Sequence, residues 1–130
     1  MKSKNIAFIT FCLLALAVAF GAIGSHALKP KLSEACLETF KTGARYHMYL
    51  SIILLSIAAL SFGSRIYFSW SLAIYLLGFA LFVGGCYISA FREIAPQIGE
   101  MGSKMAPIGG VFLIISFLIM ALQTYMHKIK

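Results

Sequence analysis

The sequence predicts an all-α integral membrane protein, with four transmembrane helices in a compact bundle and a short interfacial amphipathic helix between the first and second. Three observations carry this prediction. The first is composition: over 130 residues, 61% are hydrophobic and 12% charged, against roughly 45–50% and about 25% in an ordinary soluble domain. A chain this small has too little interior to hide that much apolar surface from water, which excludes a soluble globular domain. The same figures exclude a disordered chain and a disulfide-stapled secreted module. The second is placement: all 11 basic and 4 acidic residues lie outside four uncharged windows, Asn5–Leu28, Tyr46–Ser64, Ile66–Phe91 and Met105–His127. The third is length: each window is close to the roughly 20 helical residues needed to cross a hydrocarbon core about 30 Å thick. None shows the period-two alternation of a β-barrel strand, and helices satisfy their own backbone in lipid.

The expected organisation is a single membrane domain over 1–130. Helix one is predicted over 6–24. Lys2 and Lys4 precede it, and Ser25-His26-Ala27 resembles a small-x-small cleavage site, but the apolar stretch is long enough to span, so it is read as an uncleaved membrane helix. Lys29-Pro30-Lys31 then blocks helix continuation, because proline lacks an N–H and restricts the residue before it. Ser33 can cap a new helix, and Glu34 suits the positive end of its dipole. Leu32, Cys36, Leu37, Phe40 and Ala44 recur at helical spacing, which predicts an amphipathic helix over 33–43 lying at the membrane surface. Gly43 is the expected bend into helix two, predicted over 46–63. Gly63-Ser64-Arg65 leaves room only for a tight antiparallel hairpin into helix three, predicted over 67–89. Arg92–Lys104 carries Pro96, Gly99 and Gly102 and reads as an irregular surface loop, with Pro107 opening helix four over 107–126.

Four spans put both termini and the hairpin on one face, with Lys2, Lys4, Arg65, Lys128 and Lys130. The other face holds Lys29, Lys31, Lys41, Arg45, Arg92, Lys104 and all four glutamates. The basic residues are nearly balanced, and acids count little in setting orientation; the expectation is cytoplasmic termini. The net charge of +7 is charge held at the membrane margins. No basic stripe interleaved with aromatics appears, so nucleic acid is not an expected partner.

No window carries Asp, Glu, Lys or Arg, the residues that mark proton relays and ion pathways. G-x-S-x-G, H-E-x-x-H, the P-loop and paired carboxylates are absent, so no catalytic residues are assigned. Cys12, Cys36 and Cys86 form no CxxC and no zinc-spaced cluster, and read as small packing residues. No metal site and no cofactor are expected. Small residues recur at four-residue spacing, which lets helix backbones approach closely. The packing candidates are Gly21, Gly24 and Ser25 in helix one, Gly84 and Gly85 in helix three, and Pro107, Gly109 and Gly110 in helix four. His26, just past helix one, and His47, near the start of helix two, fall at similar depths on the two-loop face. With Arg45, Tyr46 and Tyr87, and Glu34 or Glu93, they form a candidate cluster for a ligand or lipid headgroup. The simpler reading is interfacial anchoring, where His, Tyr and Arg are favoured anyway.

Four segments resemble a known family. Gly21-Ala22-Ile23-Gly24-Ser25-His26-Ala27-Leu28 resembles the G-A-F-G-A-H-A-L stretch of the YgdD/YwdK-like family of small bacterial inner-membrane proteins of uncharacterised function. Phe40–Tyr46 is similar to its F-x-T-G-x-x-Y segment, Phe82–Tyr87 to its F-S-G-S-L-Y, and Pro107-Ile108-Gly109-Gly110 to its P-I-G-G. The order is the same across most of the chain. One departure stands out: the family has Gln and His where this chain has His47 and Leu50, so a role for that histidine transfers only if His47 reaches the same space from the preceding turn. The resemblance implies a multi-pass protein of the bacterial inner membrane with four helices and no established activity.

The expected function is accordingly that of a non-enzymatic structural, lipid-binding or partner-binding membrane protein. Its partners would be membrane lipids and either a second copy or another membrane protein. The alternatives are a small oligomeric transporter or channel with its mouth near His26 and His47, and an interfacial enzyme acting on a lipid or quinone with one of those histidines as acid–base.

Overall fold

The computed structural model describes residues 3–63 and 68–127. They form four helices: α1 (Ser3–Ser25), α2 (Glu34–Gly63), α3 (Ser69–Ser89) and α4 (Pro96–Met126). All four are long and apolar enough to cross a membrane. Residues 64–67 of the expected hairpin, and the margin charges Lys2, Arg65, Lys128 and Lys130, lie outside the described residues.

Two boundaries differ from the sequence expectation. The amphipathic segment and the second span are one continuous helix, α2, that runs through Gly43. Ser33 caps it, accepting the Cys36 N–H at 3.3 Å, and Glu34 sits in its first turn. Gly43 serves close approach rather than bending: a Cβ there would lie 3.0 Å from Cys86 Cβ and 3.1 Å from the Tyr87 ring. The second correction is that 92–104 is not an irregular loop. α4 opens at Pro96, in the first turn, where its missing N–H is one that a helix leaves unpaired anyway. Pro107 lies inside α4 and withdraws one hydrogen bond from it.

The reason for the early start of α4 is its packing on α3. A Cβ on Gly99 would run into Arg92 Cα, one on Gly102 would lie 2.6 Å from Ser89 N, and one on Gly109 would run into Phe82 N. From the other side, a Cβ on Gly85 would meet Ala106 N at 2.7 Å and one on Gly78 would meet Leu113 N at 2.9 Å. Backbone thus rests on backbone along both helices. The glycines that read as loop formers are contact residues, as small residues are in membrane helix pairs.

Each helix packs on its neighbour in the chain, α3 on α4 most extensively, and among the described residues α1 and α4 make no close backbone contact. The main core joins Ile6, Leu54, Tyr75, Phe79, Leu113 and Met120. A second, smaller cluster of Leu32, Cys36 and Leu37, with Leu28 and Phe91 against it, seals the loop end. The buried hydroxyls are hydrogen-bonded inside the bundle, as a lipid environment requires. Thr10 donates to the Ile6 carbonyl, Ser51 to His47 and Ser116 to Leu113. Tyr75 crosses to the Leu50 carbonyl, Ser71 to Gln123 Oε1, and Ser89 pairs with Ser103 at 2.7 Å.

Candidate functional site

The expected polar cluster separates into two places. His47 is 4% exposed, and its Nδ1 lies 3.0 Å from the Tyr87 hydroxyl. The pair ties α2 to α3 inside an aromatic wall. The Phe20 ring sits 6.1 Å from His47 and 4.9 Å from Tyr87, Phe40 lies 4.9 Å from Tyr87, and Phe79 meets the imidazole at nearly a right angle, 5.6 Å away. His47 Nε2 is buried and has no hydrogen-bond partner among the described residues. His26 is exposed beyond the end of α1. Tyr46 turns to other rings, Phe82 at 4.9 Å and Tyr49 at 6.0 Å. Of the two acids considered, Glu93 is engaged by Ser33, whose hydroxyl donates to Oε1 at 2.7 Å; this bond holds the Glu93 carboxyl below the usual glutamate range.

Arg45 belongs to the second place. A cleft of about 530 Å³ runs between the C-terminal half of α1 and the first half of α2. Glu38, Lys41 and Arg45 form its rim, and Ala17, Val18 and Met48 lie among the apolar residues below. Glu38 Oε1 is 3.1 Å from Lys41 Nζ, and its Oε2 is 3.5 Å from Arg45 Nη2. Arg45 Nη2 also donates to Thr42 Oγ1 at 3.1 Å. The residues fall at i, i+3, i+7 and i+10 (38, 41, 45, 48), one stripe of the helix surface. Helical spacing alone puts Glu38 and Lys41 on the polar side of the amphipathic segment without joining them to Arg45. The signal that joins them is the same spacing carried across Gly43.

The small residues of α1 shape the cleft. Gly24 is pressed by the Phe40 ring, which a Cβ would meet at 2.9 Å, whereas a Cβ on Gly21 would meet nothing within 4 Å. Gly21 therefore leaves cleft space open. Ser25 lines the same cleft and bonds back to the Gly21 carbonyl at 2.9 Å. Of the other packing candidates, Gly85 and Gly109 lie in the α3–α4 contact, Gly110 makes an ordinary contact with Phe82 at 3.6 Å, and a Cβ on Gly84 would face open space. Gly43, Gly78, Gly99 and Gly102 are contact glycines outside the packing set expected from the sequence. A second cleft, of about 420 Å³, lies between the opposite ends of α1 and α2, walled by Ala7, Leu55, Ala59 and Phe62 with Lys4 beside it. Among the described residues, no three His, Cys, Asp or Glu side chains are grouped to hold a metal ion.

Comparison with known proteins gives a consistent picture. A family described as "Protein of unknown function (DUF423)" matches residues 20–110, a stretch that takes in the rim charges, His47, Tyr87 and the α3–α4 glycines. A UPF0382 membrane protein of Staphylococcus saprophyticus is 32% identical, over 85% of this chain and 88% of its own. UPF0382 membrane protein YwdK of Bacillus subtilis, which shares its name with the family that the four motifs resemble, is 35% identical over 80% and 82%. A UPF0382 membrane protein of Haemophilus influenzae is 27% identical over 98% of both chains. No solved structure matches.

Proposed function

Since this chain belongs to the DUF423 family and is a multi-pass membrane protein like its UPF0382 relatives, we propose that it is a non-catalytic membrane component that binds a phospholipid in the α1–α2 cleft. The observation that carries this reading is the division of the cleft by polarity. Lys41 and Arg45 stand at the rim, and Ala17, Val18 and Met48 lie below them. A lipid presents the same division, with a phosphate at the headgroup level and acyl chains beneath it. Lysine and arginine near the end of a span bind lipid phosphate at that depth. The volume is within the range of small-molecule sites, about 300–1,000 Å³, enough for a headgroup and the upper part of a chain. A conduction path finds less support: the buried hydroxyls are spent on carbonyls and neighbouring helices.

Gly21→Phe tests the reading. Gly21 lines the cleft and a Cβ there meets nothing within 4 Å, so the added ring is expected to occupy cleft space. Native mass spectrometry from mild detergent is expected to show a retained phospholipid on the wild type and its loss from the variant, with helicity by circular dichroism unchanged. Retention of the same lipid by a folded Gly21→Phe protein would overturn the assignment.

A further inference from the structure

The rim holds a carboxylate that a site for a purely anionic headgroup would not want. Glu38 bridges both cations, Oε1 to Lys41 and Oε2 to Arg45, and all three side chains are between 40% and 56% exposed, so an incoming headgroup can reach each of them. A phosphate that settles between Lys41 and Arg45 displaces the carboxylate from at least one of them. With an anionic lipid such as phosphatidylglycerol, the displaced carboxylate is left beside a second negative charge, which costs interaction energy. With a zwitterionic headgroup the exchange is complete: the phosphate takes the cations and an ammonium takes the carboxylate. A primary ammonium adds N–H donors, and charge-assisted hydrogen bonds to a carboxylate are the stronger kind. A trimethylammonium has no N–H to give.

We propose that the cleft selects a phospholipid whose headgroup carries both a phosphodiester and a primary amine, with the phosphate on Lys41 and Arg45 and the ammonium on Glu38. This rests on the lipid-binding reading above and adds the headgroup class to it. The Thr42 hydroxyl accepts from Arg45 Nη2 at 3.1 Å and so helps to fix the guanidinium. Lys41 stands across from Gly24, close enough that a Cβ there would lie 3.9 Å from its Cγ.

The test is a competition. The full chain is reconstituted in nanodiscs with equal amounts of phosphatidylethanolamine, phosphatidylglycerol and phosphatidylcholine of matched acyl chains, and the lipid carried through release is measured by native mass spectrometry. The wild type is expected to retain phosphatidylethanolamine over each of the others by about fivefold, the selectivity that one exposed ion pair at the upper end of its range supplies. Glu38→Gln, at an exposed position where folding is not at stake, is expected to bring phosphatidylethanolamine and phosphatidylglycerol to parity or invert their order. Equal or preferential retention of phosphatidylglycerol or phosphatidylcholine by the wild type overturns the headgroup assignment, as does an unchanged preference in Glu38→Gln. Either result leaves the cleft itself standing provided Gly21→Phe still sheds all three lipids. If Gly21→Phe sheds none, the underlying reading fails instead.

Discussion

At the scale of single residues, glycines that look alike in the sequence differ sharply in what surrounds them. Gly84 and Gly85 are neighbours in the same apolar span. A Cβ on Gly84 meets nothing within 4 Å, whereas one on Gly85 lands 2.7 Å from the Ala106 nitrogen. Gly109 is tighter still, against the Phe82 nitrogen, and backbone cannot swing aside as a side chain can. Gly109→Ala is therefore expected to destabilise the α3–α4 pair by about 1–3 kcal/mol, the usual range for overpacking. Gly84→Ala is expected to be neutral or to stabilise by up to about 1 kcal/mol through helix propensity. Thermal unfolding of the two variants in the same detergent checks this; equal losses would contradict the backbone contact at Gly109. Sequence spacing locates these residues without ranking them, because a period of four identifies a stripe but not which stripe faces a partner. The rim is half legible for a similar reason. Arg45 is visible as a cation next to His47, but its coupling to Glu38 and Lys41 depends on α2 being continuous across that region.

At the scale of elements, the sequence pattern finds every span, but it divides α2 at Gly43 and starts α4 too late. Both errors have one physical origin. Glycine at the margin of a span, Gly43 in α2 and Gly99 and Gly102 in α4, reads as an interruption of the helix, whereas the helix there leaves only the hydrocarbon. α2 carries Glu34, Glu38, Lys41 and Arg45 on its first turns, and α4 carries Glu100 and Lys104, paired at 2.8 Å one turn apart. What joins these two protruding helix starts is a short chain of polar contacts. Ser33, which caps α2, donates to Glu93, just before α4, and Arg92 Nη1 reaches Thr39 at 3.4 Å. The Ser33 bond favours ionised Glu93 and lowers its carboxyl titration, so its contribution is fully present above the unfolded glutamate value of about 4.3. It is lost as pH falls through the lower folded-state value. The unfolding temperature of the wild type is accordingly expected to drop on acidification below that point by more than that of Glu93→Gln, which has no such proton to take up. Parallel curves for the two proteins would show that the Ser33–Glu93 contact carries no pH-dependent stability.

At the scale of the molecule, lengths and charges set how it sits in a bilayer. α2 and α4 contain 30 and 31 residues, so at about 1.5 Å per residue each runs to roughly 45 Å, against a hydrocarbon core about 30 Å thick. The shorter α1 and α3, with 23 and 21 residues, match the core. The excess of both long helices lies at their N-terminal ends, on the side of the 26–33 and 90–95 connections, where the four glutamates also lie. Basic residues alone divide almost evenly between the two sides, so composition leaves orientation nearly balanced. Cytoplasmic termini are the expected arrangement, and the check is labelling of a cysteine placed at Lys130 in a variant lacking Cys12, Cys36 and Cys86. Protection from an impermeant reagent in intact cells is expected, and labelling from outside would reverse the orientation. The packing of each helix on its chain neighbour, with α1 and α4 apart, has a consequence for how the protein comes into being. Every residue that walls the larger cleft lies between positions 17 and 49, so both walls are synthesised before α3. Contacts this local form early and quickly, and assembly can follow the order of synthesis, with the α3–α4 pair closing last onto an N-terminal hairpin that has already met its lipid surroundings.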